Sequence, residues 1–68
     1  MYAIQNQKTG KFVFGTDYRY RPAHQRTSHD RMLTYESLEH ARNDFRFRGC
    51  GKDYKIVILK TIEVKRVI

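Results

Sequence analysis

The chain has 68 residues, which suffices for one small domain with a small core and excludes a deeply enclosed active site. Fourteen Lys and Arg against seven Asp and Glu give a formal net charge of +7, which predicts a surface that attracts polyanions such as nucleic acid. The single cysteine excludes an internal disulfide, and no set of Cys and His has the spacing of zinc ligands. We expect one domain spanning residues 1–68, with no metal and no cofactor.

The N-terminal sequence and the apolar runs bear on location. The first residues contain neither an apolar signal core nor a basic leader. No apolar run approaches the roughly 20 residues that a membrane-spanning helix needs. We therefore expect a cytoplasmic protein that does not bind a membrane.

The first elements in the chain are predicted to form a β-hairpin. Tyr2 and Ile4 alternate with other residues, a polar turn containing Gly10 follows, and Phe12 and Phe14 alternate in the second strand. Gly10 fits a turn position with positive φ. We expect the four apolar side chains to share the face of the sheet that receives a helix.

Residues 15–30 show no sustained periodicity and have turn-forming residues at both ends, so they are predicted to form a long loop. Arginine binds phosphate through paired N–H groups, and tyrosine rings stack on unpaired bases or anchor a protein partner. A structural alternative is that the tyrosines close a small core and the arginines are only solvated. The predicted contact residues, five in this loop and one just after it, are Tyr18, Tyr20, Arg19, Arg21, Arg26 and Arg31.

A helix is predicted after a good N-cap residue, Ser37. At about 100° per residue, Leu38, Ala41 and Phe45 form an apolar stripe that needs a sheet to cover. Gly49 is a typical helix stop. This stripe is the side of the helix on which we expect the core.

Two residues near the end of this helix each allow two interpretations. Phe47 lies opposite the apolar stripe, so either the helix ends before it and the ring folds back, or the ring marks a contact surface. Cys50 lies between two glycines and could be exposed; a catalytic role would need a base in reach, for which His24, His29 and His40 are candidates only in that nothing excludes them. We do not expect an enzyme.

Two further strands are predicted. Residues 31–35 form a short third strand that leads into the helix, and residues 54–68 are rich in β-branched side chains. Residues 56–59 are apolar on both faces, which indicates a central strand. The C-terminal segment is either one bent strand or two, and an exposed edge at residues 62–68 would provide the seam of a homodimer. The predicted fold is α+β, with the order β-β-β-α-β, a mainly antiparallel sheet of three to five strands and one helix on one face.

Two resemblances concern the hairpin and the helix. The run KTGKFVFGTDYRYR, followed by LTYESLEHARNDFRFRGCGKDYKIV, resembles short uncharacterised proteins carried by bacteriophages and prophages of Gram-positive bacteria. That resemblance covers most of the chain and implies no particular chemistry. The pieces KFVF and YESLEHA are also similar to the arm-type DNA-binding domain of tyrosine integrases and to plant AP2 domains. In those families a three-stranded sheet with a following helix places its strands in the major groove.

The resulting expectation is a small basic accessory protein, in the host cytoplasm if it is encoded by a phage. Its predicted partner is nucleic acid, either DNA or RNA, with the arginines on phosphates and the tyrosines on bases. The alternative is a protein-binding module that recognises an acidic surface with the same residues and modulates a host enzyme or complex.

Overall fold

The fold is α+β, with one helix on a four-stranded antiparallel sheet, which confirms the predicted class and element order. The computed structural model describes residues 1–59. The strand order is β3-β2-β1-β4, and the helix contacts β1 and β4. The elements are β1 (Tyr2–Asn6), β2 (Phe12–Asp17), β3 (His24–Ser28), α1 (Leu38–Phe47) and β4 (Tyr54–Ile58).

Both ends of α1 follow the predicted capping chemistry. Ser37 has extended backbone angles, and its hydroxyl accepts a hydrogen bond of 3.1 Å from the backbone N–H of His40. This bond satisfies one of the N–H groups that the first helical turn leaves without a partner. At the other end Gly49 has a φ of 67°, a left-handed conformation that glycine adopts without steric cost. Gly10 in the first hairpin is also confirmed, with a φ of 77°.

The apolar stripe of α1 is only partly covered by the sheet. Ala41 is fully buried and Phe45 is half-buried, whereas Leu38, the first helical residue, is 38% exposed. The inclusion of Leu38 in the buried stripe was therefore wrong. Among residues 1–59 the fully buried hydrophobic side chains are Ala3, Ile4, Val13 and Ala41.

The third strand of the sheet lies inside the segment that was predicted to be a loop. Residues 24–28, with the sequence HQRTS, form β3 along the whole of β2. This strand contains no apolar residue, so it lacks the alternation by which a half-buried strand is recognised. A polar strand at the edge of a sheet needs no such pattern, because much of its side-chain surface faces water.

The predicted third strand at residues 31–35 is wrong, although this segment does bond to the sheet. The backbone N–H of Leu33 donates to the carbonyl of Val13 at 3.0 Å. Tyr35 and Tyr2 exchange backbone hydrogen bonds of 2.8 and 2.9 Å. The segment thus contacts both β1 and β2 as an irregular stretch with a single bridge, and it leads directly to the N-cap of α1.

The register of the first hairpin differs from the predicted one by one residue. Gln5 is paired with Phe12, so Phe12 lies on the face opposite to Ile4. Val13 takes the place on the helix side, and both Val13 and Ile4 are 1% exposed. The expectation that Phe12 and Phe14 share the face of Ile4 was therefore wrong, because a one-residue shift moves every side chain of a strand to the other face.

A bulge in β2 changes which of its side chains point to the helix side of the sheet. The pairing of β2 with β3 shifts between Val13 and Gly15, which leaves Phe14 without an opposite residue. An extra residue of this kind reverses the alternation beyond it. Thr16 therefore lies on the helix side of the sheet, and Asp17 lies on the opposite side.

β4 pairs with β1 and is the terminal strand of the sheet that residues 1–59 form. The central position predicted for residues 56–59 was therefore wrong within this part of the chain, and Ile58 is 74% exposed. The proposed dimer seam at residues 62–68, and the question of one bent strand or two, lie outside the described residues.

Two isoleucines on adjacent strands test the position of the core. We expect Ile4→Ala to lower the free energy of unfolding by about 2 to 5 kcal/mol, because it removes a fully buried side chain from a small core. The matched control is Ile58→Ala, which should change it by less than about 0.5 kcal/mol, since that side chain is exposed. Urea titration measures both values, and equal losses would show that the core is misplaced.

Candidate binding surface

Residues 18–23 connect β2 to β3 and carry most of the predicted contact residues; we call this segment the Arg/Tyr turn. Tyr18 is 52% exposed and Tyr20 is 48% exposed. Arg19 and Arg21 are exposed beside them. The two tyrosines therefore lie at the surface and do not close a core beneath the turn.

Asp17, at the end of β2, orients two of the arginines. Its carboxylate accepts hydrogen bonds from Nε and Nη2 of Arg19 at 3.0 and 2.7 Å, and from the backbone N–H of Arg19 at 3.0 Å. Nη2 of Arg26 lies 3.6 Å from the same carboxylate. The hydrogen bonds from the side chain and backbone of Arg19 hold the pKa of Asp17 well below its usual range. Asp17 is therefore ionised at neutral pH and partly offsets the positive charge.

The two arginines keep donors for a ligand despite this pairing. Arg19 uses its Nε edge for Asp17, and within residues 1–59 the N–H groups of Nη1 have no hydrogen-bond partner. The side chains of Arg19 and Arg26 are 77% and 57% exposed. Both guanidinium groups are therefore held in place and remain accessible to an anion.

Tyr20 forms a parallel stack with the ring of His24, the first residue of β3. The ring centroids are 4.1 Å apart, and the planes differ by 8°. Both residues are exposed. Each ring uses one face for the stack, so each has an outer face on which a further planar group can be placed.

Tyr18 contacts Phe47 at the end of α1 in an edge-to-face arrangement, with ring centroids 5.9 Å apart. Phe47 is 75% exposed. The helix continues through Phe47 and the ring does not fold back into the core, so the first of the two interpretations of this residue was wrong. The contact connects the Arg/Tyr turn to the exposed side of the helix.

Arg31 lies apart from the turn. Its guanidinium carbon is 4.4 Å from the centroid of the Phe14 ring, a cation–π contact on the bulged residue of β2. The structure thus groups Arg19 and Arg26 around Asp17, and it places Arg31 on a different contact.

A closed ring of hydrogen bonds connects the end of α1 to the β2–β3 hairpin. Nη1 of Arg48 donates to the hydroxyl of Thr16 at 2.9 Å, and that hydroxyl donates to Oε1 of Gln25 at 2.7 Å. Nε2 of Gln25 in turn donates to the carbonyl of Arg48 at 2.8 Å. These three residues, which we call the Arg48 ring, are half-buried, so each bond is less exposed to water than a surface contact.

The other edge of Arg48 holds a second polar group. Its Nε donates to Oδ2 of Asp44 at 2.6 Å, and the hydroxyl of Tyr35 donates to the same oxygen. Burial, with the hydrogen bond to Asp44 and its negative charge, raises the pKa of Tyr35 to about 12. Burial alone would raise the pKa of Asp44, but the hydrogen bonds from Arg48 and Tyr35 outweigh it and keep that pKa below its usual range.

Residues 1–59 also contain one thiol and several side chains of the types that bind metal ions. Cys50 is half-buried, and burial raises the pKa of its thiol to about 11. Residues 1–59 contain no group of three or more His, Cys, Asp and Glu side chains placed to hold a metal ion. No helix in the same range is long and apolar enough to cross a membrane.

No protein-family model, no curated protein and no solved structure matches this chain. Function is therefore inferred from the side chains of the turn and of the helix. The sequence did not predict three of the contacts described above: Asp17 with Arg19, His24 with Tyr20, and Thr16 with Arg48. An Asp two residues before Arg19 is a known turn signal and would have indicated the first, whereas nothing local distinguishes the other two.

The Arg48 ring predicts a specific loss of stability. We expect Thr16→Val, which keeps the shape and removes the hydroxyl, to lower the free energy of unfolding by about 1 to 3 kcal/mol, because Arg48 and Gln25 lose their shared partner. The matched control is Thr34→Val, at an exposed position outside the described strands and helix. Denaturant titration measures both, and a loss no larger than that of the control would mean that the ring does not stabilise the fold.

The pKa of Asp44 predicts how stability depends on pH. A carboxyl whose pKa is lower in the folded state stabilises the fold above its unfolded pKa, about 4, and loses this effect as the pH falls through the folded value. Asp44→Asn should therefore be less stable than the wild type at neutral pH, and the difference should shrink below about pH 4. Urea titrations from neutral to acid pH measure it. A difference that stays constant with pH would contradict the assignment, while the acid sensitivity due to Asp17 should remain in both proteins.

Proposed function

We propose that this chain is a small phage-type accessory protein of the cytoplasm that binds nucleic acid through the Arg/Tyr turn and the adjoining ends of β2 and β3. The observation that carries the proposal is the exposure of Tyr18 and Tyr20, about half of each side chain, beside arginines that are held in place. The net charge of +7 adds a long-range attraction for polyanions.

Phosphate contacts fit the geometry of the arginines. Arg19 is fixed by a two-pronged pairing with Asp17 and keeps its Nη1 edge for an oxygen of a phosphate. Fixing the side chain in advance lowers the entropy that binding has to remove. Arg21 has no acidic neighbour of this kind among the described salt bridges, so it supplies a full charge at the tip of the turn.

The aromatic residues favour unpaired bases. The Tyr20–His24 stack offers the outer face of a ring to a base, in the same parallel arrangement that the two rings already adopt. In a duplex the base faces are already stacked on each other, so a protruding tyrosine gains most from a single strand. We therefore propose single-stranded DNA or RNA as the preferred form.

A protein partner with an acidic surface is the second candidate, and the contact of Tyr18 with Phe47 favours it. Exposed aromatic residues and arginines are common anchors of protein interfaces. Phe47 is 75% exposed and has the exposure expected of such an anchor. Capture of a host protein that survives nuclease treatment, together with no retention on DNA or RNA, would favour this candidate.

The salt dependence of binding tests the arginines. Each phosphate that is neutralised contributes a slope of roughly −0.7 for single strands in a plot of log affinity against log salt. Replacing Arg19 and Arg21 by Ala should make this slope shallower by about 1 to 2 and weaken binding to all sequences similarly. The control is the double replacement of Arg42 and Arg46 by Ala, which changes the net charge equally on an exposed part of the helix.

Fluorescence anisotropy with a labelled strand measures these slopes. If the slopes of the two double variants become shallower by the same amount, the attraction comes from the net charge of the whole protein and not from the turn.

Tyr20→Ala should weaken single-strand binding by about 1 to 3 kcal/mol and duplex binding much less. A wild type that binds neither DNA nor RNA at low salt would show that the proposed function is wrong.

A further inference from the structure

An open cavity lies on the exposed side of α1, next to the Arg/Tyr turn. Its volume is about 560 Å³, within the range of small-molecule sites in proteins. Four of its lining residues come from one side of the helix, at spacings of three and four residues, and one comes from the segment that precedes the N-cap. The lining residues are Tyr35, His40, Asn43, Asp44 and Phe47.

The walls of this cavity have the chemistry that a planar, hydrogen-bonding group requires. Phe47 provides an aromatic surface that is 75% exposed. The side chains of His40 and Asn43 are exposed and make no side-chain hydrogen bond to the rest of residues 1–59. An amide carries a donor and an acceptor side by side, which is the pattern that pairs with the edge of a base.

The acidic group of the cavity does not oppose a nucleic acid. The carboxylate of Asp44 is paired with Arg48 and also accepts the hydroxyl of Tyr35, so its charge is compensated within the protein. The hydroxyl of Tyr35 donates to Asp44 and, with a pKa well above neutrality, carries no charge at neutral pH. What remains for a ligand is the aromatic wall of Phe47 with the uncharged amide of Asn43 beside it, which suits a base better than a phosphate.

The cavity is continuous with the Arg/Tyr turn. Phe47 forms one wall of the cavity and also contacts Tyr18, the first residue of the turn. Arg19 follows directly in the chain, with an exposed guanidinium group. A strand with one base in the cavity can therefore reach cationic partners for its neighbouring phosphates by bending around the turn.

From this juxtaposition we propose that the cavity binds an unpaired base of the same single strand that the Arg/Tyr turn binds, stacked on Phe47 and hydrogen-bonded by Asn43 or His40. The inference rests on the proposed function and adds a second base site to it. A duplex, whose bases are paired and stacked, does not fill this site.

Phe47→Ala tests the site, and Ile58→Ala is its matched control, since the two side chains are 75% and 74% exposed. Affinity is measured by anisotropy for a single strand of about 12 nucleotides and for the corresponding duplex. We expect Phe47→Ala to weaken single-strand binding by about 5- to 100-fold relative to Ile58→Ala, the loss expected when one base no longer stacks. Duplex binding should change equally little in both variants.

Asn43→Ala is a second variant that keeps the aromatic wall, and it should weaken single-strand binding by at least about fivefold. Thermal unfolding of each variant shows that the fold is intact. If Phe47→Ala and Asn43→Ala both stay within about twofold of Ile58→Ala while the Arg19 and Arg21 replacements still weaken binding, the base site is overturned and the proposed function stands. If the wild type binds no strand at low salt, both are overturned.

Discussion

The Arg48 ring is the interaction on which the placement of the candidate surface depends. Only four side chains among residues 1–59 form the fully buried core, and the helix packs mainly on β1 and β4. The bonds of Arg48 with Thr16 and Gln25 connect the end of α1 to the hairpin that bears the Arg/Tyr turn. Since each of the three residues bonds to both of the others, loss of one member removes a partner from the two that remain. The contact between Tyr18 and Phe47 connects the same hairpin to the same end of α1.

The bulge at Phe14 makes the ring geometrically feasible. Without the extra residue, the alternation of β2 would turn Thr16 away from the helix. The same reversal turns Asp17 to the far side of the sheet, where it is directly opposite His24 in β3. One irregularity therefore separates two environments on neighbouring residues, a half-buried polar link to the helix at Thr16 and an exposed carboxylate at Asp17. The aromatic ring of Phe14, the bulged residue, is covered by the guanidinium of Arg31.

What the sequence predicted correctly was set by local chemistry. Ser37 caps the helix and Gly49 ends it because each satisfies a need of its own few residues, which is visible without the fold. The errors arose where the structure depends on pairing between strands that are distant in the sequence. The register of the first hairpin could not be read from alternation, because Phe12, Val13 and Phe14 are apolar on both parities. β3 was missed because a polar strand gains its place from pairing with β2. The arginines and tyrosines were predicted as contact residues from composition, whereas their partners depend on which strand ends meet.

The two faces of the β2–β3 hairpin differ in what they offer, and this bears on the form of nucleic acid that we propose as ligand. On the face away from the helix, Asp17 orients Arg19 and Arg26, and the Tyr20–His24 stack is exposed near them. On the helix side, Tyr18 contacts Phe47 at the margin of the cavity. A ligand that uses both faces has to bend around the turn, which a single strand does easily and a duplex, with a persistence length of about 150 base pairs, does not. Stacking groups lie on both faces of the hairpin, whereas the fixed cations lie on the face away from the helix. A ligand that contacts all of them has to follow the turn, which favours a flexible strand.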